Sequence, residues 1–159
     1  MSEEDNERAR SQAKAQLDDI VIMVERMKHI SDCDGVDCEL TDEEILSGLG
    51  YVGKRKATDD ERMEYHGRDA IDEMINNDPV SVQVRSGWQK PGEELEPEEY
   101  EILLCTGGPA VRIVGDLDGH DPISSRLEYQ DWGTQWTEYF PSSEEREALL
   151  AYARHIISI

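Results

Sequence analysis

The sequence is short of cations, of cysteine and of long apolar runs, and each shortage removes a class of function. Five Lys and eleven Arg face 37 Asp plus Glu, leaving a formal net charge of −21 and a pI near 4.4. A field of that sign repels phosphate backbones and anionic lipid headgroups and attracts basic protein surfaces, so direct nucleic-acid or membrane binding is not expected. No apolar stretch approaches the roughly 20 residues that a membrane-spanning helix needs. No Arg- or Lys-led apolar segment opens the chain either, which predicts a cytoplasmic protein without a signal peptide. Three cysteines cannot all pair within one chain, so Cys33, Cys38 and Cys105 are expected as free thiols in a reducing compartment.

What is present is periodicity. The 159 residues suit one domain, read as an N-terminal helix (1–30), a helical and loop insert (31–57) and a helix–four strands–helix core (58–159). Ala13, Leu17, Ile20, Val24 and Met27 recur at helical spacing, and this stripe either packs on its own domain or offers a seam for a homodimer. "TDEEILSGLG" is a short helix with Thr41 and Glu44 as a capping box. Thr58 and Glu61 open a helix to Asn77, with a break near Gly67 allowed, and Ser142 and Glu145 open the last one, over 142–157. Between them the period falls to two: "VSVQVR" (80–85) with Val80, Val82 and Val84 on a buried face, then "YEILLC" (100–105), "AVRIVG" (110–115) and "RLEYQDW" (126–132). These elements predict an α+β two-layer sandwich: a four-stranded antiparallel meander covered on one face by helices 58–77 and 142–157. The polar face, carrying Arg85, Glu101, Arg112, Arg126 and Glu128, is left open to water or covered by the first helix.

Candidate chemistry is sparse. "CTGGPAVRIVG" (105–115) lacks the GxxxxGK[ST] spacing of a phosphate loop and has a strand where that loop needs a helix, so it reads as a hairpin turn. Cys33 and Cys38 with His29 nearby are the best metal candidates, but the C-x4-C pair is two ligands short of tetrahedral zinc, or nearly so, and no metal or other cofactor is expected. "DLDGHD" (116–121) lacks the spacing of a calcium loop and reads as a turn. No Ser, Cys or Thr stands in a nucleophile motif with any of the four His, so no catalytic residue is assigned and no enzyme is expected.

Acid clusters and aromatics remain. The acidic loop holds Glu93, Glu94, Glu96, Glu98 and Glu99, and further groups lie at Asp42, Glu43 and Glu44 and at Asp59, Asp60 and Glu61. With Trp132 and Trp136 from "WGTQWTEYF", these acids other than Glu61 are the candidate partner-binding residues. Duplex DNA carries one charge per roughly 1.7 Å of axis, so carboxylates in rows on a rigid fold can compete for a basic nucleic-acid channel.

At "VSVQVRSGWQKPG", "EYEILLCTGGPAVRIVGDL", "LEYQDWGTQWTEY" and "LLAYARHI" the chain resembles a family of small acidic uncharacterised bacteriophage and prophage proteins, over about residues 79–157. The family supplies no catalytic residue to carry over. "HIISI" departs from its aromatic, glycine-containing ending, and segment 31–57 lies outside the resemblance. The resemblance implies a phage-encoded protein in the host cytoplasm, and the charge of −21 with no catalytic constellation adds the expectation that it is non-enzymatic and binds a basic host protein surface. Such a protein would inhibit host defence as an anti-CRISPR or anti-restriction factor, in the manner of a DNA mimic. The competing expectations are a small-ligand-binding or enzymatic domain using the polar sheet face, and a phage assembly protein dimerising through its first helix.

Overall fold

In the computed structural model, which describes residues 3 to 157, the helix starts follow from local chemistry. Thr41 opens α2 (Asp42–Gly48) and Thr58 opens α3 (Asp59–Tyr65). Each hydroxyl accepts from the N–H of the Glu three residues on, and that carboxylate accepts from the cap's own N–H. Ser142 and Glu145 do the same before α5 (Ser143–Ile157), at 3.2 and 3.0 Å. Each reciprocal pair satisfies amide donors that the helix leaves open. The expected helix over 58–77 is two: α3 ends at Tyr65 and α4 (Arg68–Asn77) begins after Gly67, whose extended backbone starts a new helix axis.

The long helix α1 (Glu3–Asp32) is held by packing. Ala9, Ala13, Leu17 and Ile20 are fully buried and Val24 nearly so, each large side chain contributing roughly 1.5–3 kcal/mol relative to exposure. Most of the stripe is thereby spent in the chain's own core.

The fold is α+β, with an open antiparallel sheet. Its strands are β1 (Ser81–Ser86), β2 (Pro97–Cys105), β3 (Ala110–Asp118), β4 (Asp121–Pro122), β5 (Arg126–Gln130) and β6 (Thr137–Tyr139). Their order is β1-β2-β3-β5-β6, with β4 paired to the end of β3. The expected four strands are thus a minimum. The two additional ones are two and three residues long, too short to carry a period in sequence. The Gly-Gly stretch is the β2–β3 hairpin turn, with Gly107 at φ 111°.

One sheet face presents Ile102, Leu104, Val111, Ile113, Leu127 and Tyr129 to a core shared with α1, α4 and α5. Two expectations need correction. The helix lying across β3 and β5 is α1, so it covers the apolar face and not the polar one, and α3 stands outside this core. Val80, Val82 and Val84 are not buried: they are 57%, 43% and 52% exposed, although Val82 and Val84 stand opposite the buried Ile102 and Tyr100. The helical layer is centred on β3 and β5, and the edge strand β1 overhangs it. No helix among the described residues is long and apolar enough to cross a membrane.

Candidate functional site

Alternation along the strands sends Gln83, Arg85, Glu99, Glu101, Arg112 and Arg126 to the face away from the helices, where they line a cleft of about 300 Å³. The guanidinium of Arg112 donates to Glu101 at 2.6 Å and to Glu128 at 2.9 Å, and lies 4.1 Å from the centre of the Trp136 ring. Arg85 donates to Glu99 directly across the strand pair, and Arg126 lies 4.0 Å from Glu128. Arg85 and Arg112 are therefore already hydrogen-bonded to carboxylates, so an anion arriving at either would have to displace a bonded partner, whereas Arg126 is only near one. The cleft is a cross-strand ion-pair lattice of the kind that stabilises a sheet.

The acidic residues divide into two groups. The starts of α2 and α3, seventeen residues apart in sequence, are brought together: Asp42 accepts from the Ala57 N–H at 3.2 Å and from Arg62 at 2.6 Å. This sets Asp42, Glu43 and Glu44 beside Asp59, Asp60 and Glu61. Arg62 holds Asp42 below the usual carboxylate range, and the two-pronged contact of Arg55 with Glu61 pulls that carboxyl down to about 2. Among the described residues, Glu43, Glu44, Asp59 and Asp60 have no cation partner. The second group is the loop before β2. Glu93, Glu94 and Glu96 are exposed there, Glu98 and Glu99 enter the strand, and among the described residues only Glu99 has a cation, Arg85, which lowers its pKa.

The aromatic stretch splits by environment. Tyr139 enters the core, Trp136 covers Arg112, and Trp132 is 82% exposed. Asp131, 8% exposed, anchors this turn. It accepts from the Trp132 N–H at 2.7 Å and from Arg8 of α1 at 3.0 Å, and both contacts lower its pKa.

At the far end of α1 lies a third constellation. Arg26, 1% exposed, donates to the carbonyls of Gly48, Glu64 and Tyr65 at 3.3, 2.7 and 2.9 Å, so one guanidinium serves the last turns of α2 and α3. Beside it the trio His29, Cys33 and Cys38 is joined by His66 from the break between α3 and α4. "DLDGHD", by contrast, is a β3–β4 hairpin whose Asp121 pairs with Arg154 at 3.3 Å.

No family model, curated protein or solved structure matches this chain.

The arrangement must therefore be read from its own chemistry. Cys38 Sγ lies 3.4 Å from His29 Nε2, while Cys105, with the Pro109 carbonyl at 3.8 Å, has its thiol pKa pushed up by burial, away from reactivity. Sequence reasoning missed Arg26, Asp131 and His66. The first two are charged residues whose burial is set by partners tens of residues away, and no local pattern marks them. His66 had a weak signal, since it sits beside the glycine that weakens its helix.

Proposed function

We propose that this chain is a non-enzymatic acidic binding protein, of the phage-encoded kind that occupies the basic surface of a host nucleic-acid-binding defence protein. The observation that carries the reading is the net charge of −21, displayed on capped helices and a hydrogen-bonded sheet. Pairing every Lys and Arg would still leave that excess of carboxylates unmatched. The paired starts of α2 and α3 and the loop of Glu93, Glu94 and Glu96 are where it is most concentrated, and exposed Trp132 supplies a large apolar contact of the type enriched in interface hot spots. The small-ligand reading finds less support, because Arg85 and Arg112 in the cleft already bond carboxylates.

The test is binding to purified, nucleic-acid-free CRISPR and restriction effectors. Affinity should weaken by about tenfold or more between roughly 0.05 and 0.5 M salt, and duplex DNA or RNA should compete. Replacing Glu93, Glu94 and Glu96 with Lys should abolish binding without lowering the thermal melt. Binding indifferent to salt and to nucleic acid would overturn the reading, as would its survival in the charge-reversed variant.

A further inference from the structure

We propose that His29, Cys33, Cys38 and His66 form a tetrahedral zinc centre that ties the C-terminal end of α1 to the junction of α3 and α4. Four ligand atoms, two sulfurs and two ring nitrogens, lie within 4.8 Å of one another. Around zinc, with Zn–S about 2.3 Å and Zn–N about 2.0–2.1 Å, tetrahedral neighbours stand roughly 3.3–3.8 Å apart. Cys38 Sγ and His29 Nε2 are already at 3.4 Å. Closing the site needs shifts of about an ångström or less.

A second observation points the same way. His66 Nδ1 lies 2.7 Å from the Arg62 carbonyl, an acceptor only, so Nδ1 carries the proton and Nε2 presents its lone pair. That Nε2 is buried and has no hydrogen-bond partner. A buried imidazole nitrogen left open beside two thiols, with its other nitrogen fixed by a backbone carbonyl, is the arrangement in which histidines ligate metals. The connecting loop is shaped for close approach: Gly35 at φ 95° passes over the His66 ring, where an added Cβ would stand 3.1 Å from it, and Asp37 turns the chain back at φ 54°.

The donor set selects the metal. Two thiols and two imidazoles suit zinc over calcium or magnesium, which take oxygen. Four protein ligands leave no open position, so the centre is structural and not catalytic. Binding releases two Sγ–H protons to solvent, and the two thiolates offset the divalent charge. The region has need of such a tie, because Ile45, Leu46 and Tyr65 are buried there outside the main core.

Metal analysis of the full chain, purified without chelator, tests this directly and should find about one zinc per chain. Titration of the demetallated, reduced chain with Co²⁺ alone should give tetrahedral d–d bands with thiolate charge transfer, bleached by Zn²⁺. Cys38→Ser and His66→Ala should each weaken Co²⁺ binding by more than about tenfold, while Cys105→Ser, outside the cluster, should not. Chelator should lower the melting temperature of the wild type. Because the stoichiometry and the cobalt spectrum are read on the wild-type chain, misfolding of a variant does not obscure the answer. Absence of a thiolate–cobalt spectrum in the reduced chain would overturn the proposal, as would metal retention in both ligand variants.

Discussion

Arg26 is buried in a chain with few cations, and its burial is intelligible from what surrounds it. The last turns of helices leave carbonyls unpaired and carry partial negative charge, and α2 and α3 both end against this one guanidinium. Desolvation lowers its pKa, the electrostatic pull of Tyr65 and Glu64 opposes that, and the group stays charged. Arg26→Met should therefore cost about 2–4 kcal/mol in urea denaturation, since it strands carbonyls on two helices. Arg26→Lys should recover only part, because an ammonium cannot span three acceptors. Glu61 gives a pH signature at the same scale. Its folded pKa of about 2, set first by Arg55 and then by the Thr58 N–H, lies below the ordinary 4.5. Its contribution to stability is therefore present above pH 4.5 and is lost as the pH falls from there toward 2. Glu61→Gln keeps the cap and removes the charge, so the melting temperature of that variant should fall less steeply over this interval. Added salt should shrink the difference, as the pair is exposed to screening.

Among the elements, β1 separates the pattern of a strand from its burial. Its valines alternate as the sequence implies and point to the core side of the sheet, yet the helical layer ends before reaching them. Ile102→Ala on the neighbouring β2 should cost about 2–5 kcal/mol, and Val84→Ala less than about 1 kcal/mol, compared through denaturant midpoints. Equal costs would mean that β1 is covered in solution. The tie between α4 and α5 tests the helical layer. The Tyr152 hydroxyl donates to Asp78 at 2.5 Å, and burial with the nearby carboxylate raises the phenol's pKa. Tyr152→Phe should cost about 1.5–3 kcal/mol, the range for a hydrogen bond to a charged group.

For the whole molecule, a charge of −21 acts against the compact state as well as toward a partner. The Debye length falls from about 10 Å at 0.1 M salt to about 3 Å at 1 M, so self-repulsion fades over this range. The melting temperature of the free chain should rise with sodium chloride while affinity for a basic partner falls. Opposite slopes in one salt series, by thermal melt and by binding, are the expected outcome. Parallel slopes would mean that the carboxylates act mainly on the fold.

Local chemistry alone determined much of this protein. Thr41, Thr58 and Ser142 with their Glu partners specify helix starts within four residues, the valine and isoleucine alternation specifies strands, and Gly107–Gly108 specifies a turn, because each depends on neighbours already adjacent along the chain. Tertiary structure alone decided which helix covers the sheet, how far that cover extends, and that Arg26, Asp131 and the Nε2 atom of His66 are buried. It also brought the acids of α2 beside those of α3, and His66, twenty-eight residues beyond Cys38, to the Cys33–Cys38 loop. The physical reason is that burial and convergence are set by contacts across the fold, whose partners no spacing along the chain reveals.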